Sequence, residues 1–156
     1  MRRPFAVLTV LGAAAAAVVA CNHETTAPVP DIEHTTFASS LNIDLGSMTR
    51  TTDGLYYADS TVGTGATVGT ADSIQVDYAA WLPDGTAIDS THVPPLETKL
   101  GVGHVIPGWD KAIPGMKVGG WRKLVIPPAL GYGQYGVGPI PPNSILVFNV
   151  RVTAVR

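Results

Sequence analysis

Apolar residues recur with the period of β-strands along most of the chain after Thr51. Alternating or continuous runs of strand length fall at Leu55 to Ala58, Ile74 to Leu82, Leu96 to Leu100, Trp121 to Ile126 and Ile145 to Val155, each bounded by Gly, Pro or Asp. Pro83-Asp84-Gly85-Thr86 supplies turn chemistry between Tyr78 to Leu82 and Ala87-Ile88-Asp89, as a hairpin requires. One stretch invites a helix: Pro107 suits a first-turn position, residues 108 to 113 follow, and Pro114-Gly115 stops it. Roughly five antiparallel strands and one short helix make an α+β fold, with the sheet curling over that helix. Seventeen glycines and thirteen prolines exclude a helical bundle.

Residues 22 to 51 break the pattern. They are rich in Thr, Ser, Pro, Asp and Glu, and their apolar residues (Ile32, Phe37, Leu41, Ile43, Leu45) show no sustained period, so the stretch reads as a polar tether. Phe37 to Leu45 alternates loosely and fits a short strand or a helical turn. Residues 52 to 156, about 105 in number, suffice for one domain with a single core.

Upstream, Met1-Arg2-Arg3, an apolar run from Phe5 to Ala20 and Val18-Val19-Ala20-Cys21 form a basic n-region, a short h-region and a lipoprotein-type cleavage site. That run is shorter than the ~20 residues a membrane span needs. Residues 1 to 20 therefore read as a signal peptide. Cys21 is the only cysteine, so it forms no intramolecular disulfide, and its position fits a thiol acylated before cleavage. Two or three acyl chains anchor stably where one does not. The expectation is a lipid-anchored protein on the periplasmic side of the cell envelope. Asn22, where Asp often marks inner-membrane retention, leans it toward the outer membrane.

Cleavage before Cys21 removes Arg2 and Arg3, leaving 8 of the 10 basic residues against 12 acidic, a net charge of −4. No Lys/Arg block exceeds Arg122-Lys123, which argues against nucleic acid as a partner. His23, His34, His92 and His104 show no metal-ligand spacing. Gly63-Thr64-Gly65 and Gly101-Val102-Gly103 precede no long helix and so cradle no phosphate. Ser90 lacks a Gly-x-Ser-x-Gly context, and Asp89 and Glu97 lack the spacing of a glycosidase pair. Neither metal nor cofactor is expected.

Val105-Ile106-Pro107-Gly108-Trp109, then Gly131-Tyr132-Gly133, then Ile140-Pro141-Pro142-Asn143-Ser144-Ile145-Leu146-Val147-Phe148 are the most informative segments. A large aromatic at a turn-to-helix junction, a Tyr between glycines and an apolar strand ending in Phe together can build an aromatic pocket. In order and spacing these residues resemble the FK506-binding (FKBP) type of peptidyl-prolyl cis-trans isomerase. The resemblance runs from about Thr52 to Arg156 and includes Gly54-Leu55-Tyr56-Tyr57, Val76-Asp77-Tyr78, Ile88-Asp89-Ser90, Leu100-Gly101 and Ile126-Pro127-Pro128.

The resemblance implies rotation of X-Pro amides, which breaks no covalent bond and so needs no nucleophile and no cofactor. The barrier is the double-bond character of C–N, about 18–20 kcal/mol. By this resemblance the proline sits over Trp109, in a pocket to which Tyr78, Ile88, Leu96, Val105, Ile140 and Phe148 contribute. The backbone N–H of Ile106 and the hydroxyl of Tyr132 orient carbonyls of the bound chain, and Asp89 supplies polarity beside the twisting bond. It further implies proline-containing polypeptides and FK506- or rapamycin-like macrolides as ligands. A monomer is expected.

The chain departs from the family at several points. Ile88 and Leu96 stand where Phe is usual, which softens the pocket without making it polar. The loop Ser90 to Pro95 is shorter than in typical members and lacks their basic residue, so a contact to Asp89 is expected to be missing. Ala79-Ala80 replaces the more common Thr-Gly, without expected effect on chemistry. The loop after Tyr132 carries an unusually placed Tyr135, and the altered rim is expected to shift preference for the residue before proline. The competing reading, from a different class, is a chaperone or Pro-peptide-binding module that keeps the fold without useful turnover.

Overall fold

The computed structural model describes residues 28–91 and 93–156. The signal-peptide and Cys21 readings fall outside the described residues. Seven antiparallel strands form one sheet: β1 (Thr49–Arg50), β2 (Tyr56–Thr61), β3 (Ser73–Trp81), β4 (Ala87–Ser90), β5 (Leu96–Lys99), β6 (Trp121–Ile126) and β7 (Leu146–Val155). The order is β1-β2-β6-β7-β3-β4, with β5 also pairing β3. β3 is long enough to serve two partners on one edge, Ser73 to Val76 facing β5 and Ala79 to Trp81 facing β4. Against roughly five strands expected from the sequence pattern the sheet has seven: β1 is too short to show a period, and β4 was foreseen only as the return arm of the Pro83 to Thr86 hairpin.

Among the described residues one α-helix, α1 (Pro107–Ala112), packs on one face of this sheet. Pro107 opens it without losing a bond, because first-turn N–H groups lack intrahelical partners in any case. Gly108 lets it approach β6 closely: a Cβ there would stand 2.7 Å from Ile126 Cγ2. Trp109, Ala112 and Ile113 are buried beneath the inward positions of the sheet, which alternate as Ile74, Val76 and Ala80 on β3 and as Phe148, Val150 and Val152 on β7.

The outward positions bury a second cluster. Tyr56, Val125 and Ile145 are covered by Ile32, with Phe37, Ile43, Leu45 and Met48 against them. The described part of the stretch read as a tether is therefore no free linker. Residues 31 to 50 lie along the outer face as 3-10 turns at Ile32–His34, Ser39–Leu41 and Leu45–Ser47, followed by β1. Polar contacts fasten them: Tyr56 donates its hydroxyl to Glu33 at 2.7 Å, Ala38 N–H donates to Pro83 O at 2.8 Å, and Lys123 donates to the carbonyl of Leu41. Composition misleads here because a handful of apolar side chains at irregular spacing suffices to cover Tyr56, Val125 and Ile145 on the outer face. This second layer also explains why β6 and β7 read as continuous apolar runs, since Leu124-Val125-Ile126 and Leu146-Val147-Phe148 are buried on both sides.

Ile32 is only 3% exposed and is the innermost residue of the outer layer. Ile32→Ala is expected to cost about 2–3 kcal/mol of unfolding free energy in urea titrations, whereas a free tether predicts no change.

Candidate functional site

Tyr78, Trp109 and Phe148 meet where β3, α1 and β7 converge. Trp109 packs edge-on against both rings, 5.2 Å from Tyr78 at 82° and 5.5 Å from Phe148 at 79°, the arrangement that aromatic quadrupoles favour. Trp109 is 4% exposed, and its indole N–H is buried with no acceptor among the described residues. Above this cluster opens a cavity of about 160 Å³. An apolar cavity of roughly 150 Å³ is enough to admit one six-membered ring.

All ten side chains that the sequence nominates for the pocket line this one cavity: Tyr78, Ile88, Asp89, Leu96, Val105, Ile106, Trp109, Tyr132, Ile140 and Phe148. The structure adds two. Ala80, paired with Phe148 across β3 and β7, brings one buried methyl to the wall, at a position read from sequence as neutral. His104 stands at the rim, where lack of a metal-ligand spacing drew no attention to it. Its adjacency to Val105-Ile106 is the signal that was present.

The polar groups are held at the edge of the apolar wall. Asp89 accepts the Tyr78 hydroxyl at 2.5 Å and the N–H of Ser90 at 2.8 Å. Among the described residues no basic side chain forms an ion pair with Asp89, in keeping with the shortened loop after it. Thr91 aligns the pair, because Tyr78 N–H donates to its hydroxyl at 2.9 Å and Thr91 N–H donates to Tyr78 O at 2.9 Å. Ile106 is the residue that caps α1. Its carbonyl accepts from Trp109 N–H, while its own N–H has no backbone acceptor among the described residues. Tyr132, 38% exposed, arches over from the loop after the 3-10 turn Pro128–Leu130.

Burial, and then the bond to the Asp89 carboxylate, push the Tyr78 hydroxyl well above its ordinary value. Burial, with the Asp89 charge second, raises Tyr132 as well. Both hydroxyls thus stay protonated donors at neutral pH. The site contains a ring-sized apolar floor, oriented donors and one carboxylate and, among the described residues, no paired nucleophile and base.

A sheet curled on a short helix, with such a cavity opening over Trp109, has the shape and the donors to hold a small ring. Residues 65–153 match the family described as FKBP-type peptidyl-prolyl cis-trans isomerase. A Neisseria meningitidis serogroup B protein called FK506-binding protein is 45% identical over 105 residues, covering 65% of this chain and 96% of that one. The FK506-binding protein 2 of Dictyostelium discoideum is 47% identical over 88 residues, 54% of this chain and 66% of its own. The crystal structure of FkpA from Escherichia coli superposes with a TM-score of 0.66 at 37% identity, covering 76% of this chain and 55% of that one. The chain belongs to the FKBP-type peptidyl-prolyl cis-trans isomerase family. It is an isomerase of X-Pro bonds in polypeptides.

Because the fold raises the Tyr78 value above the ~10 of an unfolded tyrosine, this group contributes stability that is present below about pH 10 and is lost as pH climbs above it. Urea titrations at about pH 9 and pH 11 are expected to show a smaller loss for Tyr78→Phe than for the wild type.

Proposed function

We propose that the cavity over Trp109 is where the X-Pro bond rotates, and that the natural substrates are exported polypeptides met at the envelope. The prolyl ring rests on the indole between Tyr78 and Phe148, with Val105, Ile88, Leu96 and Ile140 closing the sides. Ile106 N–H and the Tyr132 hydroxyl orient carbonyls of the bound chain around the rotating amide, and Asp89 favours the form in which the amide nitrogen has lost conjugation. None of these groups transfers a proton. Preferential binding of the twisted amide is sufficient, since each ~1.4 kcal/mol gives about tenfold in rate.

One observation carries the reading: every nominated side chain, drawn from six separate stretches of sequence, lines the same ring-sized cavity. The same cavity would take an FK506- or rapamycin-like macrolide, because its apolar floor and exposed rim donors do not depend on a peptide backbone. The protein acts as a monomer held by acyl chains on Cys21 at the periplasmic side of the outer membrane. The lipoprotein-type sequence Val18-Val19-Ala20-Cys21 followed by Asn22 supports that placement. Slow X-Pro exchange, tens of seconds uncatalysed, is the folding step such a location would relieve.

Protease-coupled or exchange-NMR assays on X-Pro tetrapeptides test the site. Asp89→Ala is expected to lower kcat/KM about tenfold and Tyr132→Phe about threefold or more, with rates flat between about pH 6 and 9 because no group has to ionise. An FK506-like ligand should abolish catalysis, and absence of any acceleration across a range of X residues would refute the assignment. For the anchor, Cys21→Ser is expected to move the protein from the membrane fraction to the soluble one. Unchanged fractionation would sink that part of the reading.

A further inference from the structure

Among the described residues two groups that line the cavity can carry charge near neutral pH, and their charges are opposite. Asp89 on β4 is one; His104, exposed in the loop between β5 and α1, is the other. Tyr78 and Tyr132, which share the lining, are kept protonated by burial and by Asp89. Neither Asp89 nor His104 forms an ion pair among the described residues. Groups around a cavity of about 160 Å³ act on its contents from within roughly a Debye length, ~8 Å at physiological ionic strength.

The loop fixes where His104 stands. Leu100 is fully buried and its N–H donates to Asp72 O at 3.0 Å, while Gly101 N–H donates to the Asp110 carboxylate of α1 at 2.9 Å. Gly101 turns the chain at φ 74°, where a Cβ would collide with Thr70 O. Nearby charges are engaged elsewhere: Glu97 pairs with Arg156 at 2.9 Å and Lys111 with Asp53 at 2.8 Å. Neither these nor Asp110 nor Lys99 lines the cavity. Histidine is the side chain that changes charge between about pH 5 and 8. With a neutral imidazole the described lining keeps the single negative charge of Asp89, and with an imidazolium that charge is offset.

We propose that His104 determines which charged residues are accepted beside the proline: its imidazolium offsets Asp89 and admits an acidic neighbour, and its neutral form leaves Asp89 to favour a basic one. This rests on the cavity being the isomerase site. A prolyl ring that fills the cavity brings its chain neighbours to the mouth, and His104 leads directly into Val105 and Ile106, which line the same space. His104 acts on the choice of substrate and takes no part in the rotation. Because it is exposed, its effect is that of a solvated charge pair, a few-fold in rate and dependent on salt.

The test measures kcat/KM of the full chain at low ionic strength on matched peptides with Glu, Gln or Lys immediately before or immediately after the proline. On one side or both, the Glu/Gln ratio is expected to rise about two- to fourfold between pH 8 and pH 5.5 and the Lys/Gln ratio to fall by a similar factor. The peptide glutamate stays ionised over that range, and the Gln peptides cancel any general effect of pH on the fold. His104→Gln should make both ratios independent of pH, His104→Lys should hold the Glu/Gln ratio high at pH 8, and about 0.5 M salt should flatten the wild type. Ratios that do not move with pH in the wild type overturn the proposal. So does a pH dependence that survives His104→Gln, or a loss in that variant equal on Glu, Gln and Lys peptides, which would make His104 a part of the cavity's shape. If the wild type fails to accelerate even the Gln peptides, the isomerase reading of the cavity falls instead, and fluorescence anisotropy of the same peptides, labelled, with wild type and His104→Gln still decides the charge preference.

Discussion

A helix of six residues holds this structure together, and it has no stability of its own. In water, isolated helices shorter than about 12 residues are marginal even with good sequences, and α1 contains Pro, Gly and no side-chain N-cap. It exists because the sheet wraps it. Gly108 seats it against Ile126, Ile113 is fully buried, and Arg122 of β6 closes its far end. That arginine, 8% exposed, donates to the Ala112 carbonyl at 2.5 Å and grips Asp59 of β2 with two bonds of 2.6 and 2.8 Å, its guanidinium 4.6 Å over the Tyr57 ring. A buried arginine costs several kcal/mol unless its donors are met, and here helix and sheet meet them together.

The site inherits its precision from that clamp. Trp109 is a helix residue whose ring is fixed by two strand aromatics, and Ile106 offers its N–H because it sits one position ahead of the helix, where backbone donors are left over. The polar groups are braced from the sheet edge: Thr91 bridges the gap between β4 and β5, aligning Tyr78, and Tyr78 in turn holds Asp89. Preorganisation of this kind suits a reaction in which the enzyme supplies shape and fixed dipoles and moves no proton.

Much of this was legible in the sequence. The Pro83 to Thr86 turn, the Pro107 helix start and most strand bounds were read to within a residue, although β2 runs three residues past Ala58 to Thr61, because binary pattern, proline and glycine act locally. The nominated pocket residues were also legible, through their ordered resemblance to a family and not through any one side chain, since Tyr78 or Phe148 alone looks like core. What escaped was non-local. Ala80 carries no signal of its own and belongs to the cavity only by what the fold brings near it, while His104 had nothing but its adjacency to Val105-Ile106 to mark it.

The amino-acid sequence by itself thus determined the elements, their hydrophobic faces and the identity of the aromatic residues, because these follow from side-chain period and backbone preference. Tertiary structure alone decided that residues 31 to 50 form a second layer on the sheet, that Arg122 ties helix to strands, and that His104 and Asp89 share one cavity. The physical reason is the same in each case. Burial, a satisfied guanidinium and an exposed ring are properties of neighbours far apart in the chain, and no local pattern encodes which neighbours those are.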